Sequence, residues 1–293
     1  MAENSLTPEE VAATLNITKN TVYEMVKRGE LKAYRIGRKI RIDEKEITAY
    51  KAKMRQNPVY SAGANNSPFI ICGQDMILDI LARYMEYQNP GISILRSYKG
   101  SYNALYDLYN DNANVVTAHL WDGDSNTYNT AYVKALLPGV PAKIIPLTKR
   151  YEGFYIKRGN PKNIVGWDDF RRDDINFVNR EKGSGARVLL DEHLRLMGIK
   201  PAKIAGYNIV ASSHVLVATA VSRGAADFGI GVGKVAKQFK NLEFVPLQRE
   251  CLDIIIKEED LETPIMQSML NIIASEGYRS EVMSLGGYEL GKI

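Results

Sequence analysis

Cysteine and histidine are scarce in this chain, with two cysteines and three histidines in 293 residues. Cys72 and Cys251 cannot build a disulfide framework or a four-cysteine zinc site. Their apolar contexts, FIICG and RECLDIII, mark them as reduced core thiols. The histidines stand in no metal-ligand or nucleophile spacing, and only Cys251, beside Arg249, has a basic neighbour of the activating kind. Neither a resident metal nor an enzyme activity is therefore expected. Long hydrophobic runs are missing too: no stretch of about 18 apolar residues occurs, which excludes a membrane-spanning helix. The opening MAENSLTPEE is polar and acidic, with no basic segment leading into an apolar one. A secretory signal is not expected, and the expected location is the cytoplasm.

What is present is a globular composition, 45% hydrophobic and 25% charged. Such a chain buries a real core, and its length suits two or three domains at about 150 residues each. The net charge of +4 is unevenly placed. Residues 1–58 hold 12 Lys and Arg against 8 Asp and Glu, whereas the remainder holds 26 of each. Between Arg28 and Arg41 six basic residues face one acid, Glu30. A basic patch beside a neutral body points to an N-terminal module that meets a polyanion, with a solvated surface as the plain alternative.

The segment Gln56–Pro68, QNPVYSAGANNSP, carries no charge, three Asn and two Pro. It sustains no helical or strand period and reads as a linker between a head, 1–55, and a body, 69–293. In the head, Thr7 and Glu10 are spaced as a capping box, with Pro8 in the first helical turn and Val11, Ala12 and Leu15 as the apolar stripe. A turn at Asn16-Ile17-Thr18 leads to a second helix, capped by Thr18 and ended by Gly29. Leu31–Arg35 and Lys39–Ile42 read as a hairpin around Gly37, and Asp43 opens a third helix.

Two short helices joined by a tight turn place the second helix in a DNA major groove. Thr18, Lys19, Asn20, Tyr23 and Lys27 lie on or at the start of its polar face and suit phosphates and base edges. Arg35, Arg38, Lys39 and Arg41 sit around the hairpin tip like a wing. The stretch LTPEEVAATLNITKNTVYEMVKRGELKAYRIGRKIRIDEKEI closely resembles the excisionase-type helix-turn-helix family, relatives of the MerR winged helices. The resemblance covers nearly all of residues 5–50 and implies double-stranded DNA as partner. Reuse of such a module for protein interaction stays open.

In the body, apolar runs alternate with helical periods. Phe69–Cys72 is a strand, Asp75 caps the following helix, Ile92–Arg96 is a second strand, a helix opens at Gly100-Ser101, and Val115–Ala118 is a third strand. This order favours a parallel sheet with covering helices, in which ligands bind beyond the carboxyl ends of the strands. A second unit runs from a strand at Ile175–Val178 through Asn179–Arg187, which opens a helix. Gly183 and Gly185 permit close backbone approach, and the helix start favours an anion. Ser184 adds a hydroxyl, with Arg180 and Arg187 as nearby cations. An ordinary tight turn is the alternative for the triplet itself.

The stretches GQDMILDILARYM, YKGSYNAL, AHLWDGDSNTYN, NREKGSGARVLLDEHL, SSHVLVATAVSRGAADFGIG and LGGYEL resemble the periplasmic-binding-protein-like domain found fused to excisionase-type regulators. That domain is related to the molybdate- and tungstate-binding proteins of ABC importers. The resemblance implies an α/β, two-lobed type II architecture: lobe one from 69–147 and 248–293, lobe two from 148–247, and crossover strands near Ile145–Tyr151 and Phe244–Leu252. It implies no cofactor but a molybdate or tungstate effector. These oxyanions are fully ionised at pH 7 and need donors only. Ser101, Ser184 and Arg187 match the family's anion loops, and His214 matches its histidine after the serine pair. Thr117 to His119 ends a strand and could add amides. Gly73, Gln74, Arg180 and Gly185 complete the expected ligand set, with structural hydrogen bonding as the alternative role of the two histidines. One departure stands out. Gly73 occupies a junction where importers often carry serine, so one hydroxyl donor is lost, and Asp75 repels an oxyanion unless it is turned to cap its helix.

These readings converge on a one-component transcription regulator, expected to work as a homodimer on paired half-sites. The alternatives are a transport binding protein, an enzyme on the same fold, and a binding protein for another small anionic or polar ligand whose head serves recombination or DNA architecture.

Overall fold

The computed structural model describes residues 5–15, 18–27, 29, 31–37, 39–56 and 68–291. Arg38, the Asn16-Ile17 part of the turn and linker residues 57–67 lie outside them. Contacts divide the chain into two compact units, Met1–Ser67 and Pro68–Ile293. No described helix is long and apolar enough to cross a membrane.

The first unit begins with a short strand β1 (Ser5–Leu6), then α1 (Pro8–Leu15), α2 (Lys19–Lys27), β2 (Tyr34–Ile36), β3 (Lys39–Asp43) and α3 (Glu44–Gln56). The capping box forms: the Thr7 amide donates to Glu10 Oε2 at 2.7 Å, and the Glu10 amide donates to Thr7 Oγ1 at 3.3 Å. Thr18 Oγ1 accepts from the Thr21 amide at 3.2 Å, which starts α2. Val11, Val22, Met25, Leu31, Ile42 and Ile47 form the core. Two details differ from the sequence reading. β1 completes a three-stranded sheet in the order β1-β3-β2, because the chain before α1 lies antiparallel to β3. The hairpin strand starts at Tyr34, since Leu31 is instead a core plug at 1% exposure.

The second unit runs β4 (Phe69–Cys72), α4 (Ile77–Gln88), β5 (Ile94–Ser97), α5 (Ser101–Tyr109), β6 (Val115–Ala118), a small hairpin β7 (Trp121–Asp122) and β8 (Thr127–Tyr128), and α6 (Thr130–Leu136). It continues through β9 (Ala142–Lys157), β10 (Phe177–Arg180), α7 (Gly185–Leu196), β11 (Val210–Ala211), α8 (His214–Arg223), β12 (Phe228–Val232) and α9 (Gly233–Ala236). It closes with β13 (Leu242–Lys257), α10 (Pro264–Ala274), α11 (Glu276–Ser284) and β14 (Glu289–Leu290). The main sheet has the order β11-β10-β12-β9-β13-β6-β4-β5, with β14 added on β9. β9 and β13 are 16-residue antiparallel partners that run through both halves of the sheet. Parallel strands β4, β5 and β6 make one half, and parallel strands β10, β11 and β12 the other. Each half has its own apolar core, so burial is completed within a half rather than between halves.

Two strands start later than the sequence reading placed them. β5 begins at Ile94, because Ile92 stays exposed at the end of the Asn89-Pro90-Gly91 turn. β10 extends through Arg180, which pairs with Ala211 and is therefore buried at 2% exposure instead of standing in a loop. Cys72 is buried, but Cys251 is only half-buried on β13, and burial raises both thiols above their ordinary range.

Candidate functional site

Two helix starts face each other across the halves. Gly100 precedes α5, and Ser184 caps α7 by accepting from the Arg187 amide at 3.3 Å. The Tyr102 amide donates to the Gly183 carbonyl at 2.9 Å. A Cβ on Gly100 would stand 2.8 Å from that same carbonyl oxygen, so only glycine permits this approach. A second bridge comes from Arg180, which donates to Gln74 Oε1 at 2.7 Å and to Glu181 at 2.8 Å. The lobes are thus in contact at the ends of their strands, where the parallel topology aims helix starts at a ligand.

Beneath this contact lies a buried chain of charge. Arg150 on β9 pairs with Asp75 of one lobe and with Glu250 on β13. The other oxygen of Glu250 meets His119 Nδ1 at 2.7 Å. Asp75 also accepts from the Ile77 amide at 2.9 Å and from Tyr288 Oη at 2.9 Å, so it is turned towards the first turn of α4, although the cap position itself falls to Met76 rather than to Asp75. Glu152, two residues beyond Arg150, is buried with no donor on either oxygen. Burial and the neighbouring Glu250 charge push its carboxyl well above the usual range. Burial acts the same way on Glu250, but the Arg150 charge and His119 outweigh it and hold that group well below. Burial and the charges of Arg180 and Arg150 keep His214 a neutral imidazole, and its Nδ1 has no partner.

Two cavities border these groups. The inner one is small, about 20 Å³, and is lined from the expected set by Gln74, Ser101, Thr117, His119, Arg180, Ser184, Gly185 and His214. Asp75, Lys99, Gly100, Arg150 and Leu252 also line it. The outer cleft, about 620 Å³, is walled by Met76, Tyr98, Val215, Val232, Val235 and Tyr288, with Lys234 among them. The Lys234 ammonium is shut off from solvent with no hydrogen-bond partner, lies over the Tyr288 ring at 5.0 Å, and burial lowers its pKa.

Two expected ligand residues do not face either cavity. Gly73 donates its amide to the Ser97 carbonyl at 2.8 Å, and its φ of +151° turns it against Thr117. Arg187 is consumed within its own lobe: it pairs with Asp191 at 2.9 Å, donates to the Arg180 carbonyl at 3.1 Å and lies over Tyr207. Arg150, Glu152 and Glu250 escaped the sequence reading. Their signal is charge inside otherwise apolar strands, RYEGFYI and RECLDIII, which a period-2 reading assigns to solvent.

On the head, Lys19, Asn20, Tyr23 and Lys27 are exposed along α2, while Val22 and Met25 are buried on its other side. Lys19, Tyr23, Arg35 and Lys39 line one groove between α2 and the hairpin. Arg41 is half-buried and donates to the Ser5 carbonyl at 3.4 Å, so it is partly committed to the fold.

A helix-turn-helix unit followed by a type II periplasmic-binding-protein-like unit defines a DNA-reading and ligand-binding class rather than a catalytic one. The chain belongs to the family of the PBP superfamily domain, whose model matches residues 82–274, and a helix-turn-helix domain matches residues 5–55. It is 41% identical over 300 residues to the uncharacterized protein YvgK of Bacillus subtilis (strain 168), covering 98% of this chain and 95% of the relative. In fold it is similar to an ABC-type phosphate transport receptor from Vibrio cholerae, at 17% identity and a TM-score of 0.53 over 76% of this chain and all of that one. It is likewise similar to the effector-binding domain of QuiR in complex with shikimate, at 12% identity and a TM-score of 0.51 over 71% of this chain and 96% of that one.

Proposed function

We propose that this protein is a cytoplasmic one-component transcription regulator. Its head reads double-stranded DNA as a homodimer, and its body senses a small oxyanion between the lobes, with molybdate and tungstate the first candidates. The observation that carries the anion reading is convergence: Ser101 and Ser184, each at a helix start of a different lobe, line one cavity with the guanidinium of Arg180. A fully ionised tetrahedral anion requires donors: helix-start amides donate only, and the Ser101 hydroxyl, which accepts from the His119 amide at 3.2 Å, still has a hydrogen to donate, whereas Ser184 Oγ donates to the Glu181 carbonyl at 2.9 Å. The inner cavity of about 20 Å³ suits a single water. Anion entry therefore requires the Tyr102–Gly183 contact to part.

A second reading has its own observation. The outer cleft has apolar walls and one unpartnered ammonium at Lys234, a combination that suits an organic acid with an apolar body. The fold relatives bracket both readings, one being a phosphate transport receptor and the other an effector domain holding shikimate. Calorimetric titration of molybdate, tungstate, phosphate, sulfate and shikimate into wild type, Ser101→Ala and Lys234→Met separates them. The oxyanion reading expects a tetrahedral anion to bind and Ser101→Ala to weaken it about tenfold or more, as loss of a bond to a charged group requires. Shikimate binding lost only in Lys234→Met would replace it with the organic-acid reading. No binding by any tetrahedral anion sinks the oxyanion reading.

A further inference from the structure

We propose that His119, Glu152 and Glu250 form a site for one divalent first-row transition-metal ion, at the seam where the two crossover strands meet lobe one. Their donor atoms, one ring nitrogen and two carboxylate oxygens, all lie within 4.8 Å of one another. Donors bound at about 2.1 Å stand roughly 3.4 Å apart around a tetrahedral ion, so the widest pair has to close by about 1.4 Å while His119 and Glu250, now 2.7 Å apart, open slightly.

The independent observation is Glu152 itself. It is 1% exposed, and neither of its oxygens meets any donor. A buried carboxyl without a partner costs several kilocalories per mole if it ionises, so some positive charge must accompany it. Arg150 does not supply that charge. Its guanidinium is committed to Asp75 and to the Oε1 atom of Glu250. Arg180 is likewise committed, to Glu181 and Gln74. Glu250 Oε2 is hydrogen-bonded to His119 Nδ1 at 2.7 Å, and an ion held by both groups replaces that bond. With all three carboxylates ionised, Asp75, Glu152 and Glu250 outnumber Arg150 by two charges, which is what a divalent ion carries.

Binding is simple coordination: one carboxylate oxygen of each glutamate and a ring nitrogen of His119 donate lone pairs to the ion, and no electron is transferred. One nitrogen with two carboxylate oxygens suits zinc or cobalt, whereas magnesium and calcium take all-oxygen sets. The Arg150–Glu250 ion pair orients the second carboxylate in the way outer-shell partners commonly do. Three protein ligands leave a fourth position, and the water-sized cavity that His119 lines adjoins it. Sequence spacing could not reveal this set, because its members come from the end of β6, from β9 and from β13.

The test uses tag-free full-length protein, wild type and Glu152→Gln, with Zn²⁺ and Co²⁺ as probes. Glutamine has the shape of the protonated carboxyl, so the variant should keep the wild-type circular dichroism and melting profile. The proposal expects saturable binding of one Zn²⁺ per chain. It expects visible d–d absorption on adding Co²⁺ and at least 100-fold weaker binding in Glu152→Gln. Absence of saturable binding overturns it, as does a Glu152→Gln affinity within threefold of wild type. Should the variant fail to fold, the wild-type stoichiometry and cobalt spectrum still decide. Binding without a cobalt spectrum of mixed nitrogen and oxygen ligation refutes the site.

Discussion

The backbone of Gly185 lies flat against the ring of His119: a Cβ at position 185 would stand 2.3 Å from the ring's Cε1. The start of α7 in one lobe thereby touches the strand-end histidine of the other. Gly185→Ala is expected to hold the lobes apart while leaving each lobe's own core intact. Small-angle scattering should show a larger radius of gyration for residues 68–293 in the variant, and any ligand that bridges the lobes should bind at least tenfold more weakly. Unchanged scattering and affinity would mean that the closed contact contributes nothing.

Arg150 holds two buried carboxylates at once, Asp75 and Glu250. Arg150→Met leaves both without their cation. Breaking a buried pair from one side costs about 3–5 kcal/mol, because the remaining charge stays desolvated. Urea unfolding at neutral pH should show a loss of that order. A loss below about 1 kcal/mol would show that water reaches the cluster.

Glu152 sets a pH dependence of opposite sign to most carboxylates. Its folded pKa is raised, so its contribution is fully present below the unfolded value and is lost as pH climbs towards the folded one. Glu250 is depressed, so its contribution is present above the unfolded value and disappears as pH falls through the folded one. With metal removed by chelator, Glu152→Gln should therefore gain stability relative to wild type as pH rises from about 4.5. Thermal melts from pH 4.5 to 8.5 check the trend. A difference that is flat or shrinks with pH contradicts the raised folded pKa.

Arg35 and Lys39 are exposed on the hairpin and share a groove with Lys19 and Tyr23 of α2. Each phosphate contact releases about 0.9 of a counterion from duplex DNA. Replacing either residue with alanine should reduce the slope of log affinity against log salt by about that amount. A wild-type slope in both variants removes the hairpin from the interface.

Regulation requires reciprocity. If the bound anion changes operator affinity by some factor, operator DNA must change anion affinity by the same factor. Paired half-sites about 34 Å apart make a dimer of heads the expected reader. Measuring anion affinity with and without operator tests the coupling. Equal values in a protein that binds both would reduce the two units to tethered neighbours.

Much of the lining of the inner cavity was legible because it rests on local signals. Glycine-serine helix starts, Ser184 as a cap and Arg180 at a strand end are written within a few residues of each other. Arg187 looked like part of the same group, yet one helical turn brings it to Asp191, which sits four residues on and takes its charge. Gly73 looked like an amide donor, yet its N–H continues the hydrogen bonding between strands.

The sequence by itself determined the division into head and body, the capping boxes, the polar face of α2 and the order of strands and helices. Each of these follows from propensity and periodicity over fewer than about 20 residues. Only the tertiary structure decided that Arg150, Glu152 and Glu250 are buried together beside His119. Their neighbours come from strands separated by about a hundred residues, through the antiparallel pairing that sets Glu250 opposite Arg150. Register shifts between Pro246 and Gln248 and between Leu252 and Asp253 bracket that stretch. Whether a charged residue in a strand faces water or a partner depends on what the opposite strand presents, and alternation along one strand carries no record of that.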